Sequence, residues 1–450
     1  MEPLYTADEM REAEAGFPGF PATAPELMER AGTAVAREAM RAFPRARRFA
    51  VVCGGGANGG DGAVAAQVLQ AAGREAVETD EPEGFDVVID ALFGTGFHGA
   101  PRPEAAAVIE RINATRAPVV SVDLPSGVNA STGEVDGAAV DAALTVTFHG
   151  RKVGLVVAPG RFHAGRVLVA DIGLEHLVTH ASRTTEAVLR AVPRRAPHDS
   201  KYTAGAVLVV GGSPGMTGAA VLAATAAFRA DAGYVTLAVP RESLQVVETL
   251  VLEPVKRGFD WGDAAESILA DAARADAVAI GPGLGRSDDA RALVRELLER
   301  LELPVVVDAD ALFGLEPVVR TAPTVLTPHA GELARLLGTD AATVNAHRLE
   351  SVRACAERFG AVVLLKGADT IIQGPAGGPV VSDLAPPSLA TAGSGDVLTG
   401  VVAAFLAKGL EPVAAAAAAA TAHGIAAASV SHQAGLVASD VVAALPAALS

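Results

Sequence analysis

Asp396 closes the run Leu389-Ala390-Thr391-Ala392-Gly393-Ser394-Gly395-Asp396, whose small residues lead straight into an apolar stretch from Val397 to Phe405. That order predicts a loop feeding a helix N-terminus, where free backbone N–H groups and the positive end of the dipole favour an anion. A carboxylate in the first turn could take a proton from an attacking hydroxyl while the N–H groups hold a transferred phosphoryl group. Lys366-Gly367 ends another apolar run and could neighbour the same anion. Each residue alone has a plainer reading: Asp396 as an ordinary first-turn acid, Lys366 as a solvated strand-end charge, His329 as a turn residue after Pro328.

A second set lies in the first half. The apolar run Phe49 to Cys53 is followed by Gly54-Gly55-Gly56-Ala57-Asn58-Gly59-Gly60-Asp61-Gly62 and a helical stretch from Ala63 to Ala72. Strand, glycine-rich turn and helix form the phosphate-cradling unit of doubly wound α/β folds. The spacing is neither the dinucleotide fingerprint nor a Walker loop. Two further strands, Asp86 to Asp90 and Val119 to Asp123, each end in an aspartate. They run into Ala91-Leu92-Phe93-Gly94-Thr95-Gly96 and Leu124-Pro125-Ser126-Gly127. Ligands of open parallel sheets bind beyond the carboxyl ends of the strands, so Asn58, Asp90, Asp123 and Ser126 should converge on one rim. The oxygen donors of Asn58, Asp90 and Ser126 suit a hard cation. Each aspartate singly reads as a turn or cap residue. His149, Arg151 and Lys152, beside Gly150, read as ordinary loop charges.

The elements that must carry these residues alternate strand and helix. Thr6-Ala7-Asp8-Glu9 has the form of a capping box. Apolar runs at 143–148, 153–158 and 166–172 are expected to complete a first sheet of about six strands. The pattern weakens over 174–195, which reads as a linker or edge helix. A second α/β series follows, with strands ending at Gly211-Gly212-Ser213, Gly281-Pro282-Gly283-Leu284-Gly285, Asp308-Ala309-Asp310, Thr327-Pro328-His329 and Lys366. Helical stretches at 286–301 and 344–359 separate the strands. The expected fold class is α/β, with two doubly wound domains over residues 1–185 and 195–450.

A chain of 450 residues is too long for one core. Thirty-six basic residues against 52 acidic ones argue against nucleic acid or an anionic membrane as partner. Alanine is abundant and aromatics few, which favours close helix packing through small side chains. Cys53 and Cys355 match no metal or redox spacing and read as buried small hydrophobes. The first residues lack a signal pattern, and the alanine-rich run Val413 to Ala422 reads as a buried helix. A cytoplasmic enzyme is expected, with small-molecule substrates, no membrane or nucleic-acid partner, and a homo-oligomeric assembly.

The second-half motifs, in this order, resemble the ribokinase-like superfamily and, more narrowly, its ADP- or ATP-dependent NAD(P)H-hydrate dehydratases. The resemblance rests on Gly281 to Gly285, Val307 to Leu312, Leu326 to Glu332, Leu365 to Thr370 and Ala392 to Asp396. The first half resembles the NAD(P)H-hydrate epimerase domain, through Gly54 to Gly62, Ile89 to Gly96 and Val122 to Gly127. Together the halves are similar to the bacterial bifunctional repair enzymes over nearly the whole chain. Two departures are an alanine at 57, where many relatives have Asn, and an alanine at 392, where many have Gly.

The resemblance implies that the first domain interconverts the R and S epimers of hydrated NADH and NADPH at C6. Asp123 would be its acid/base residue. A potassium ion would sit at Asn58, Asp90 and Ser126. Ala57, Asn58, Gly59, Gly60 and Asp61, with Gly94, Thr95, Gly96, Phe97, His98, Gly99, Ala100 and Asp123, would contact the hydrate. It implies that the second domain dehydrates the S hydrate, Asp396 activating the C6 hydroxyl towards the terminal phosphate of ADP with Mg²⁺. Ala219, Gly283, His329 and Asp396 would contact that hydrate. Lys366, Gly367, Ala368, Asp369, Thr370 and Gly395 would hold the nucleotide. A vitamin or sugar kinase with an accessory domain is the alternative enzyme class, and a ligand-sensing module the alternative for the first half.

Overall fold

The computed structural model describes all 450 residues. Their contacts divide the chain into two compact units, one of residues 3–182 with 345–347, the other of 1–2, 183–344 and 348–450.

The first unit is built on a six-stranded sheet, parallel throughout. Across it run Glu75–Glu78, Arg48–Cys53, Val87–Ala91, Val119–Val122, Leu144–Phe148 and Arg166–Ala170. Strand side chains alternate between faces. Phe49, Val51, Ile89, Val122 and Val146 therefore meet the helices Ala24–Ala42 and Ala57–Ala71 on one side. Ala50, Val52 and Val88 meet Ile109 and Ile112 of the helix Pro103–Ala114 on the other. The chain leaves Arg48–Cys53 towards one edge and returns beside it with Val87–Ala91, so the topological switch point lies at the carboxyl ends of these two strands.

The expected strand at 153–158 does not form. Val153–Leu155 is a 3₁₀ turn, and the sixth strand is Glu75–Glu78 at the edge. Gly154 cannot stand off from its neighbours there, because a Cβ on it would lie 2.2 Å from the Asn129 carbonyl oxygen. Thr6 and Glu9 form the expected capping box on the helix Ala7–Ala15.

In the second unit seven parallel strands are extended by an antiparallel hairpin. The order is Val255–Phe259, Tyr234–Pro240, Ala206–Val210, Ala277–Ile280, Val305–Val307, Thr324–Leu326 and Val362–Leu365, then Thr370–Gln373 and Val380–Ser382. Its switch point lies between Ala206–Val210 and Ala277–Ile280. The helix Ser394–Ala407 is buried at every position from Val397 to Ala407, so it runs through the core rather than over it. It packs on the helix Thr217–Arg229 so closely that a Cβ at Gly400 would lie 2.1 Å from the Ala223 carbonyl oxygen. The helix Pro412–Ser429 is long and apolar enough to cross a membrane, yet 67% of its most apolar window is buried inside the protein. It packs among core residues of this unit. Residues 174–195 hold a short strand, Ala181–Arg183, and a 3₁₀ turn, Glu186–Ala191.

Candidate active sites

In the second unit Gly393, with φ +87°, turns the chain into the helix Ser394–Ala407, and Asp396 occupies its first turn. The left-handed conformation suits glycine, and a Cβ there would also lie 2.8 Å from Leu222 Cδ1. Lys366 reaches the same turn from the end of Val362–Leu365: a Cβ on Gly395 would lie 3.2 Å from its Nζ. Nζ donates to Asp308 Oδ1 at 2.8 Å, and Thr399 Oγ1 donates to Asp308 Oδ2 at 2.6 Å. Glu332 Oε2 lies 4.0 Å from the same Nζ, and its other oxygen lies 3.4 Å from His329 Nε2. Backbone hydrogen bonding from His329 to Glu332, and from Gly331 to the His329 ring, fixes that corner as the N-cap of the helix Ala330–Leu337.

The electrostatics separate the three carboxylates. Asp308 is buried and engaged through both oxygens. Asp396 is half-buried and its carboxylate accepts no hydrogen bond; burial, then the charge of Asp308, push it up to about 7, which Lys366 only partly offsets. Burial works against the charge of Lys366, but Asp308, Glu332 and Asp396 together raise it, so the ammonium persists. An acid poised near neutrality beside a fixed cation and open helix N–H groups can serve as a general base for a hydroxyl meeting an anion.

Gly283 and Ala219 meet around Met216. A Cβ on Gly283, at φ +63°, would lie 2.3 Å from the Met216 carbonyl oxygen, which accepts from Ala219 N at 3.2 Å. Residues 367–369 form the turn after Lys366, with Gly367 and Ala368 exposed, and Thr370 opens the next strand. The Asp369 side chain is buried against Arg348 at 3.0 Å, so it braces this turn instead of facing solvent.

In the first unit Gly54 and Gly59 press together, a Cβ on Gly59 falling 1.8 Å from the Gly54 carbonyl oxygen. This tight turn starts the helix Ala57–Ala71 and brings Asn58 beside the end of Val87–Ala91. Asn58 Nδ2 donates to Phe93 O at 2.9 Å, while its Oδ1 faces Gly94 with no side chain between. Ser126 Oγ accepts from Phe93 N at 2.8 Å and donates to Asp90 Oδ1 at 2.6 Å. Asp90 Oδ2 accepts from Ser121 Oγ and Ser126 N. Burial pushes Asp90 up against the pull of these bonds, with no ammonium or guanidinium among its partners. The three residues named as cation ligands thus converge on Phe93, offering oxygen donors only.

Asp123 follows Val119–Val122 with φ +66°, a conformation rarely adopted by residues other than glycine and typical of functional positions. Its charge is felt by Asp61 of the glycine-rich helix and by Glu14 of Ala7–Ala15. Burial, then the charges of Asp123 and Glu14, push Asp61 up to about 8. Burial and the charge of Asp123 raise Glu14 as well. Residues 94–100 form the adjoining loop, mostly exposed, with Phe97 stacked on Phe93 at 4.7 Å between centroids.

Sequence reasoning assigned no site role to four residues that these clusters contain. Asp308 and Thr399 lie 58 and 91 positions from the partners they join, a distance no local pattern reveals. Lys152 lies fully buried beside Asp123. His423, on Pro412–Ser429, is buried with its Nε2 unpartnered; burial, then the charge of Lys366, hold it down to about 4. Cys53 and Cys355 carry thiols that burial pushes up to about 11 and about 12, which leaves neither primed as a nucleophile.

Among solved structures, a ribokinase-like superfamily protein of Enterococcus faecalis shares the fold of the second unit at a TM-score of 0.53 and 22% identity, over 61% of this chain and 97% of that one. An ADP/ATP-dependent NAD(P)H-hydrate dehydratase from Bacillus subtilis, crystallised with ATP and Mg²⁺, is 30% identical at a TM-score of 0.55, over 59% of this chain and 96% of that one. Fold and site together define a ribokinase-like unit joined to a second, Rossmann-like α/β unit. Residues 207–446 match the family described as NAD(P)H-hydrate dehydratase, and residues 24–79 and 74–154 the one described as YjeF-related protein N-terminus. A bifunctional NAD(P)H-hydrate repair enzyme of Moorella thermoacetica is 41% identical over 93% of this chain and 91% of its own. The chain belongs to the bifunctional NAD(P)H-hydrate repair enzymes.

Proposed function

We propose that the protein repairs hydrated NADH and NADPH, residues 1–185 interconverting the two C6 epimers and residues 195–450 dehydrating the S epimer with ADP. The observation that carries this reading is Asp396: a half-buried carboxylate, held near neutrality, in the first turn of a helix beside Lys366.

Water added across the nicotinamide C5–C6 bond leaves a hydroxyl on C6, and hydroxide is a poor leaving group. Asp396 takes the hydroxyl proton as the oxygen attacks the terminal phosphorus of ADP, and AMP departs with the bridging oxygen. The N–H group of Gly395 and the ammonium of Lys366 stabilise the moving phosphoryl charge. Inorganic phosphate then leaves C6 with the C–O electron pair, pushed by the N1 lone pair, and loss of a C5 proton restores the double bond. When bound, Mg²⁺ would supply charge neutralisation on the phosphates. Asp308 and Asp310 are already committed, Asp310 to Gly285 N and Arg286, which fits an ion held chiefly by phosphates and water. Ala219, Gly283 and His329 border the hydrate, and residues 366–370 with Gly395 the nucleotide.

For the epimerase, Asp123 is the acid/base residue and residues 57–61 and 94–100 line the hydrate. Asn58 Oδ1, Asp90 and Ser126 Oγ would hold potassium. The all-oxygen set around an otherwise uncompensated buried carboxylate fits a monovalent cation, which would tie the Gly54–Asp61 and Phe93–Gly96 loops together. The cytoplasm as location and a homo-oligomer as assembly belong to the same reading.

Purified protein given mixed NADH hydrates with ADP or ATP tests it. Complete conversion to NADH, with free phosphate and the nucleotide shortened by one phosphate, is expected. Conversion stopping at the S fraction would remove the epimerase assignment. A stable phosphorylated product would favour a small-molecule kinase instead.

A further inference from the structure

We propose that Lys152 is the positioning residue of the epimerase site: it ties down one carboxylate oxygen of Asp123 and so presents the other, Oδ2, as the single reactive oxygen. This rests on the epimerase reading of the first unit and adds a residue to it.

The geometry is specific. Lys152 is fully buried, on a two-residue strand whose register is set by parallel pairing of Leu4 and Tyr5 with Arg151 and Lys152. Its three N–H donors are all used, on Asp123 Oδ1, on Thr147 Oγ1 at 2.9 Å and on Phe148 O at 2.9 Å. Asp123 Oδ1 also accepts from Thr147 Oγ1 at 2.9 Å and Phe148 N at 3.3 Å. Three donors saturate that oxygen, while Oδ2 accepts none. A buried ion pair contributes little to stability compared with an apolar pair of similar shape. Here it also sits against a residue held at φ +66°. Both features are easier to understand as preorganisation than as packing.

The charged surroundings explain why the ammonium is needed. Glu14 and Asp61, on two other helices, are both pushed towards their neutral forms by burial and by the charge of Asp123. His149 is held below its usual value by burial, then by His176 and Lys152. Lys152, bonded to Asp123 Oδ1, is thus the cation set against this crowding of carboxyls, with Asp61 pushed towards its protonated form. The carbinolamine chemistry follows. Asp123 Oδ2 takes the C6 hydroxyl proton, the C6–N1 bond breaks with its electron pair passing to N1, and Asp61 gives N1 a proton. Rotation about C5–C6 turns the new aldehyde. N1 then attacks the other face, the protons return to oxygen and to Asp61, and the opposite epimer results.

The test is the pH profile of epimerisation, with a single hydrate epimer, in Lys152→Met and Thr147→Val of the full chain. Lys152→Met should move the acid limb upward by about one pH unit or more and lower kcat at least tenfold at neutral pH, with KM little changed. Dehydratase activity, carried by the other unit, should persist and reports a folded chain. Thr147→Val, near-isosteric, should move the limb in the same direction by less. An unmoved acid limb in an active Lys152→Met enzyme would overturn the inference, and so would an unmoved limb in Thr147→Val if Lys152→Met does not fold. Absence of epimerisation in the wild-type protein is a different failure, that of the epimerase reading itself.

Discussion

Lys366 donates its ammonium to Asp308 at 2.8 Å, while Asp396 accepts no hydrogen bond at all. One cation thus sustains two acids unequally: Asp308 is fully paired, and Asp396 is left poised to gain a proton. In the proposed mechanism this division gives the second unit a structural carboxylate and a working one.

Asp396→Asn removes the working acid, so dehydration should fall by at least a hundredfold while epimerisation is untouched. The same change should stabilise the fold above neutral pH. A carboxyl whose folded value is raised costs stability as pH climbs from its unfolded value of about 4 through its folded value of about 7. Below pH 4 wild type and variant should melt alike; at pH 8 the variant should gain on the order of 2 kcal/mol, discounted for partial exposure. Thermal melts at both pH values check this.

Lys366→Met should act in the opposite sense. It strands Asp308 without its cation, and breaking such a pair typically costs about 3–5 kcal/mol when fully buried, less here because Lys366 keeps 21% side-chain exposure. Asp396 also loses its only attractive neighbour, so the acid limb of dehydration should move to higher pH. A stability curve and a pH–rate profile on the same variant read both effects.

The anion loop and the strand-end aspartates could be read from the sequence because each is a contiguous motif whose chemistry is local. Gly393 to Asp396 and Gly54 to Asp61 announce a turn and a helix N-terminus by composition alone. Asp308, Thr399 and Lys152 could not be read so, since their roles arise only when distant segments meet. Lys152 looked like a loop charge because it follows Gly150, and nothing local signals that its side chain turns inwards. Residues 153–158 read as a strand for a related reason: an apolar run has no strand period of its own, and here Val153–Leu155 turns as a 3₁₀ helix with Gly154 close against the Asn129 carbonyl.

Ser126→Ala removes the hydroxyl that joins Asp90 to Phe93. Leaving a buried carboxylate oxygen short of a donor should cost about 1–3 kcal/mol. Epimerisation should fall and lose any dependence on potassium, while dehydration of the S hydrate persists. Rates measured with potassium replaced by a larger organic cation separate the ion effect from the fold effect.

Gly400→Ala sets two effects against each other. Alanine gains about 1 kcal/mol in a helix interior. Here its Cβ would meet the Ala223 carbonyl oxygen at 2.1 Å, a clash with backbone that cannot rotate away. Overpacking of that kind costs about 1–3 kcal/mol, so the variant should be less stable. Its dehydratase activity should also drop, because the helix bearing Asp396 is pushed from the one bearing Ala219. Chemical denaturation and a dehydratase assay give the two readings.

The most direct measurement is the stoichiometry of the purified protein acting on the S hydrate of NADH with ADP, beside Asp396→Asn. The proposed mechanism predicts one AMP and one phosphate for each NADH regenerated by the wild type, and none by the variant. Undiminished turnover by Asp396→Asn, or NADH regenerated without nucleotide cleavage, would contradict it.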